Sequence, residues 1–346
     1  MRDVDYLRVS EPAGAVAALA AEPGARLIAG GTELVNLMKE HIAEPALLVD
    51  ISRLPLTGIE AGPEGLRIGA LARMSDVAAH PAVRRHYPAI AQALELSASP
   101  QLRNMATMGG NLLQRTRCPY FRAERELPCE KRRPGSGCSA REGEHRTAAI
   151  IGTGPEHRCV AAHPSDLAVA LAALDAVVQV LGADGARELP VRDLHRLPGD
   201  RPEEDHVLAP GELITGLTVP AAPDTARSRY LKVRERASYE FALVSAAAAV
   251  ELDDETVVGA RLALGAVAAR PWRLPATERA LAGVFADEAV LRNAVADGLE
   301  EDLAEAAPLP GNVFKLDLAR RAAARVLVET VLGERDLDRA GTSEGR

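Results

Sequence analysis

The spacing of apolar residues changes several times along the chain, and each change predicts an element. Residues 13–22 are alanine-rich with helical spacing. Residues 26–29 read as a short buried strand broken by Gly30-Gly31. Thr32 is placed to cap a helix running to about Glu40, with Leu34, Leu37 and Met38 on one face. Residues 46–51 and the alternating 65–70 predict two further strands, and helices are expected near 75–79 and 87–96. Between Arg115 and Arg158 periodicity disappears in favour of Pro, Gly, Arg and Glu, so this stretch reads as an irregular insert. A helix is expected at 165–174, then strands at 176–181 and, after a turn at Pro210-Gly211, at 212–219. Beyond about Arg227 the texture shifts to long strands at 230–236, 243–252 and 257–267, followed by helices at 277–283, 286–306 and 315–333. Strands followed by helices predict an α+β C-terminal domain. The polar tail at 334–346 is expected to be loose.

Composition narrows the class. The 346 residues allow two or three domains, and 47% hydrophobic with 26% charged residues is ordinary for a soluble globular protein. Aromatics are only 3%, so Ala, Leu and Val must fill the core. A net charge of −8 argues against a general nucleic-acid binder, which needs a positive field to displace phosphate counterions. No apolar run approaches the ~20 residues of a membrane span. The N-terminal residues include no apolar signal segment, which fits either the cytoplasm or export in the company of a signal-bearing partner.

Two glycine turns carry candidate chemistry. In Ile28-Ala29-Gly30-Gly31-Thr32-Glu33-Leu34 a strand ends in two glycines and enters a helix, leaving backbone N–H groups without partners. Glycine has no Cβ, so a phosphate can approach closely, and the helix start adds partial positive charge. The plain alternative is a structural strand–turn–helix corner. Thr107-Met108-Gly109-Gly110-Asn111-Leu112 repeats the arrangement, so two turns are available to grip one dinucleotide from both sides. Neither fits the G-x-G-x-x-G fingerprint of a Rossmann site.

All four cysteines, Cys118, Cys129, Cys138 and Cys159, fall within the insert and its edge, just after the second glycine turn. Soft ligands next to such a turn suggest two prosthetic groups side by side, as in an electron-transfer protein. The intervals C-x10-C-x8-C-x20-C lack the close pairs of a zinc module. Three readings stand: an iron–sulfur cluster, two disulfides in an oxidising compartment, or a disordered basic insert with incidental cysteines. Residues 115–159 hold ten Arg or Lys against six Glu, an excess of positive charge suited to an anionic cluster.

Asp166 either accepts hydrogen bonds from a sugar hydroxyl or, like Ser165, merely caps the helix that follows. Lys232 has the plain reading of an outward residue on an edge strand. The histidines, among them His145, His157 and His163, read as surface or loop residues, with His163 a candidate to pack near a cofactor. No self-sufficient hydrolytic motif and no catalytic acid–base set is evident.

With these residues in view, the chain resembles the FAD-binding (medium) subunits of the molybdenum hydroxylases, the xanthine dehydrogenase and aldehyde oxidoreductase family. The resemblance runs to about residue 333 and rests on AGGTEL at 29–34, QLRNMATMGGNL at 101–112, HPSD at 163–166, ELITGLTVP at 212–220, YLKVRERASYEFALVS at 230–245 and LGAVAARPWR at 264–273. The insert, with QRTRCPYF, PGSGC and HRCVAAHPSD, is similar to the branch whose flavin subunit carries an extra [4Fe–4S] cluster, as in the periplasmic aldehyde oxidoreductase and 4-hydroxybenzoyl-CoA reductase.

The resemblance implies an α+β protein: an FAD-binding fold of the vanillyl-alcohol-oxidase type followed by a CO-dehydrogenase-flavoprotein-like C-terminal domain. The expected divisions are 1–56, 57–224 with the insert at about 115–160, and 225–333. Residues 28–34 are expected to wrap the FAD pyrophosphate, with Thr107, Gly110 and Asn111 forming the second loop. Asp166 would bind the flavin's sugar-like chain, Ile214 would line the isoalloxazine, and Lys232 would set a positive charge at its edge. The four cysteines would ligate the cluster. Ser97 stands where some relatives place an aromatic ring over the flavin. The implied function is electron transfer within a heterotrimer. A molybdenum-cofactor large subunit oxidises an aldehyde, a [2Fe–2S] small subunit relays electrons, and this chain delivers them to an acceptor such as ferredoxin. No substrate oxidation is expected from this chain alone. A stand-alone flavin oxidase and a non-enzymatic zinc-binding interaction module are the alternatives.

Overall fold

The computed structural model describes residues 2–223 and 226–333, in three sheets. The first contains β1 (Asp5–Arg8), β2 (Ala25–Ile28) and β3 (Leu47–Asp50), parallel and in the order β1-β3-β2. Helix α1 (Pro12–Ala21) joins β1 to β2, and α2 (Leu34–Lys39) joins β2 to β3. The Gly30-Gly31 turn thus lies at the carboxyl end of a parallel strand, where open α/β sheets bind ligands.

The second sheet is antiparallel: β4 (Ile59–Gly62), β5 (Gly65–Gly69), β6 (Val177–Gly182), β7 (Gly185–Pro190) and β8 (Leu213–Pro220), in the order β4-β5-β8-β6-β7. Between β5 and β6 run α3 (Met74–Ala79), α4 (Pro81–His86), α5 (Pro88–Glu95), α6 (Pro100–Arg103), α7 (Met108–Leu112) and α8 (Asp166–Ala173); α9 (Val191–Leu194) follows β7. Helix α8 is apolar except for Asp166, and every one of its residues is buried, as expected of a helix hydrophobic all round.

The third sheet, order β12-β11-β10-β9, is an antiparallel set of β9 (Ala226–Val233), β10 (Val244–Asp253), β11 (Thr256–Gly265) and β12 (Trp272–Arg273). Helices α10 (Pro275–Ala280), α11 (Glu288–Asp302) and α12 (Phe314–Leu332) cover one face. Strand β10 explains how the parts join. Ala247 and Ala249 pack into the core that holds α5 and α8, while Ala246, Ala248 and Val250 pack into the core beneath α11 and α12. Alternate side chains of a strand face opposite sides, and alanine lets helices approach on both. Among the described residues no helix is long and apolar enough to cross a membrane.

The insert is irregular, as its sequence predicts, with one 3-10 turn at Ser139–Arg141. It is nonetheless packed. Phe121 is fully buried against Leu37 and Cys129, and the N–H groups of Ile150 and Ile151 both donate to the Val267 carbonyl. The reading of a disordered insert is therefore overturned. The expected Thr32 cap is also absent. Helix α2 starts at Leu34 without a side-chain cap, and Thr32 offers its carbonyl to Asn36 Nδ2 at 3.1 Å. The expected division at 224/225 and the tail at 334–346 lie outside the described residues.

Candidate cofactor-binding site

The two glycine turns meet. A Cβ on Gly30 would lie 1.8 Å from the Met105 carbonyl oxygen, so only glycine lets the first turn press against the approach to the second. Gly31 has φ +72°, in the left-handed region that glycine enters without penalty. The turns differ in what they offer. The N–H groups of Gly30, Gly31 and Thr32 donate to no acceptor among the described residues. In the second turn Gly109 donates to Ala70, Gly110 to Thr107 Oγ1 and Asn111 to the Thr107 carbonyl. Three adjacent free amides for an anion therefore come from the first turn, whereas the glycine and asparagine amides of the second are engaged. Helix α2, six residues long, adds little dipole to them.

Together the turns border a cleft of about 1450 Å³. That exceeds the roughly 300–1,000 Å³ of ordinary small-molecule sites and suits a long ligand. The whole run 28–34, Thr107, Gly110, Asn111, Asp166 and Lys232 line it. Ile214 does not. It is buried in the core beneath β8, and its neighbour Leu213 reaches the cleft instead, because adjacent strand residues face opposite sides.

At one wall lies a buried polar cluster. Ser165 caps α8, its Oγ accepting from the Ala168 N–H at 3.0 Å and donating to Asn111 Oδ1 at 2.6 Å. Asp166 is thereby released from capping. Its Oδ2 accepts from Ser97 Oγ at 2.9 Å and from Lys232 Nζ at 2.8 Å, and its Oδ1 accepts from the Tyr230 hydroxyl. The Lys232 side chain is 1% exposed, which corrects its reading as an outward residue even though β9 is an edge strand. Burial, then the Asp166 charge, pushes the Tyr230 hydroxyl well above its ordinary pKa, so it stays a donor. Neither Tyr230 nor Ser97 was legible as an Asp166 partner, since both lie more than 60 residues from it.

Glu33 lines the cleft, yet its carboxylate is engaged by the insert. Arg117 lies 2.8 Å from Oε2, Arg122 bonds Oε1, and the Arg115 N–H donates to Oε1 at 3.0 Å. This neutralises a charge that would repel a pyrophosphate. Arg115 and Lys131 likewise share Asp205, and Arg146 pairs with Glu235. The positive excess expected to serve a cluster is thus largely consumed by carboxylates, most of them outside the insert.

The four cysteines converge on one small void, together with Phe121, Lys131 and Val160. All four are free thiols, so the disulfide reading does not hold. Burial pushes Cys159 up to about 12. Among the described residues no three His, Cys, Asp or Glu are gathered as a single metal ion requires. The protein atoms nearest one another around this void thus include four thiols, all of them from the insert and its edge.

His145 and His157 are half-buried loop residues, as expected, whereas His163 is buried. His163 and His195 are buried with ring centroids 3.9 Å apart, and burial holds both below the usual range, His195 at about 4. His195 Nε2 bonds the Leu112 carbonyl at 2.8 Å, so these neutral rings brace α7 from behind.

Residues 2–222 match the FAD binding domain in molybdopterin dehydrogenase, and residues 229–330 match the CO dehydrogenase flavoprotein C-terminal domain. This chain belongs to the FAD-binding medium subunits of the molybdenum hydroxylases. It is an oxidoreductase subunit of the aldehyde oxidoreductase and xanthine dehydrogenase type, and FAD is the cofactor its first domain binds. This FAD-binding subunit is 46% identical to the aldehyde oxidoreductase FAD-binding subunit PaoB of Escherichia coli K12, over 95% of this chain and 98% of that one. It is 26% identical to the glyceraldehyde dehydrogenase medium chain of Sulfolobus acidocaldarius, over 81% and 82% of the two chains. Its fold matches a chain of the Cu,Mo-CO dehydrogenase with TM-score 0.73 at 24% identity, covering 96% of this chain and 98% of that one.

Proposed function

We propose that this FAD-binding subunit also carries a [4Fe–4S] cluster and serves as the electron outlet of a molybdenum-dependent aldehyde dehydrogenase. In this reading a molybdenum-cofactor large subunit oxidises the aldehyde and a [2Fe–2S] small subunit relays the electrons. Ferredoxin is the acceptor. The observation that supports the cluster is the convergence of Cys118, Cys129, Cys138 and Cys159 on one void. Aldehyde as the substrate class follows the 46% identical relative, which is named for that activity.

The chain's own residues supply position and charge, while bound FAD and the cluster supply one- and two-electron chemistry. The N–H groups of Gly30, Gly31 and Thr32 would hold the pyrophosphate. Asp166 and Lys232 would stand beside the ribityl chain and the ring. Arg117 and Arg122 tie the cluster-bearing insert to Glu33 in the first turn, fixing the two cofactor sites relative to one another.

The test is flavin and iron quantitation with an anaerobic visible spectrum on the full-length chain, alone and with its partner subunits. About one FAD and four irons per chain, with a broad shoulder near ~400 nm, is the expected result. Replacing Cys129 by Ser should lower the iron and leave the flavin. Flavin without iron in the wild-type chain would remove the cluster from this reading, and absence of both would remove the reading altogether.

A further inference from the structure

We propose that the loop joining β9 to β10, residues 234–243, supplies the aromatic cover of the flavin ring, with Phe241 as the covering residue and Tyr239 beside it. The inference rests on the FAD reading above. Phenyl side chains are scarce in this chain. Among the described residues that line the cleft they number two, Tyr239 and Phe241, and both are exposed, 57% and 47%. Phe241 belongs to the end of the cleft marked by Asp166. These two residues, with Arg117 and Glu240, line both the cleft and a neighbouring cavity of about 250 Å³ that reaches Cys118. Ser97, on the cleft wall beside Asp166, offers no ring.

The loop is built to hold its rings out. Glu240 Oε2 accepts from the N–H groups of Glu235 and Arg236 at 2.7 and 2.9 Å, closing the loop on itself. Arg234 anchors its start to the Leu96 carbonyl at 3.2 Å, the same carbonyl that Lys232 engages. Tyr239 is held at φ +55°, a conformation that a residue with a Cβ adopts only where its surroundings impose it.

The Phe241 ring sits on the Arg117 guanidinium, 4.8 Å from its centroid, and Arg117 is paired with Glu33 in the first glycine turn. A ring supported on one face by a planar cation presents its other face to a flat partner. The cleft expects such a partner in the isoalloxazine. Phe241 is thereby registered, through Arg117 and Glu33, to the turn that would hold the pyrophosphate.

The experiment uses the full-length chain purified with its flavin. Phe241→Leu should keep its FAD at purification but release it roughly 2- to 10-fold more readily on dilution, the fold-change of one aromatic stack. Iodide should also quench the flavin emission of this variant more strongly. Phe241→Trp should restore both properties. Phe285→Leu, at an equally exposed phenyl of the C-terminal domain outside the cleft lining, should change neither. Unchanged FAD retention and unchanged iodide access in Phe241→Leu would overturn the proposal. A wild-type chain that purifies without flavin would instead sink the FAD reading on which it rests.

Discussion

Lys232 reaches Asp166 across 2.8 Å inside the protein, with both side chains almost wholly removed from solvent. Each charge is tolerable only because the other is present. Lys232→Met should therefore destabilise the chain by about 3–5 kcal/mol, the usual cost of orphaning one member of a buried pair. The double variant Lys232→Met with Asp166→Asn should recover much of that loss. Urea denaturation of the single and double variants measures the coupling, and additive losses would show that the pair is not a unit.

The contact between Gly30 and Met105 makes a sharper prediction about the cleft. A methyl group on Gly30 collides with a backbone carbonyl that has no rotamer by which to retreat. Gly30→Ala should separate the two turns and abolish FAD retention. Gly31→Ala meets only side chains at 3.3 Å and beyond and suffers left-handed strain of about 1–2 kcal/mol, so it should weaken retention without abolishing it. Flavin content after gel filtration ranks the two. The reverse order would refute this account of the turn.

Glu33 holds the insert through Arg115, Arg117 and Arg122. Glu33→Gln keeps the shape but leaves Arg117 and Arg122 without their carboxylate. Stability should fall by about 1–3 kcal/mol. Limited trypsin digestion should cut within 115–133 earlier than in the wild type. Equal digestion rates would mean that Phe121 packing alone holds the insert down.

Lys315 is fully buried and faces only carbonyls, those of Ala148 at 2.7 Å and Ala266 at 2.6 Å, joining the end of the insert to the C-terminal domain. Burial pushes its ammonium from 10.5 down to about 7. Between those values the unfolded chain binds the extra proton and the folded chain does not, so stability contributed by this site rises as pH rises from about 7 towards 10.5. Below pH 7 the desolvation cost is present in full. Thermal melts should show the wild type gaining on Lys315→Met across that window. A pH-independent difference between the two would exclude titration at this site.

Several strands were legible because the side chains declare them. β5 alternates, and β10 and β11 are long runs of Val, Ala and Leu. The strands that escaped prediction, β1, β4, β7 and the two-residue β12, are all edges of their sheets, and the first three are largely exposed. A strand with no apolar face leaves no period to read, and its partner's backbone alone defines it. The site divides in the same way. The glycine turns and the cysteine set were visible as local motifs. The engagement of Glu33 by arginines 82 to 89 residues away was not, nor was the inward turn of Lys232, because each depends on packing between distant segments. The resemblance supplied the family, while the side of β8 that faces the cleft, with Leu213 lining it and Ile214 in the core, was not legible.

The touch between Gly30 and Met105 also sets a timetable. A nascent chain that ends before residue 105 has a first turn with nothing to close against, and β5 has no inner neighbour until β8, at 213–220, has left the ribosome. The loop that bears Phe241 emerges later still. The cleft therefore closes only after residue 105, β8 and Phe241 have all emerged, and vectorial translation gives the cofactor no early foothold.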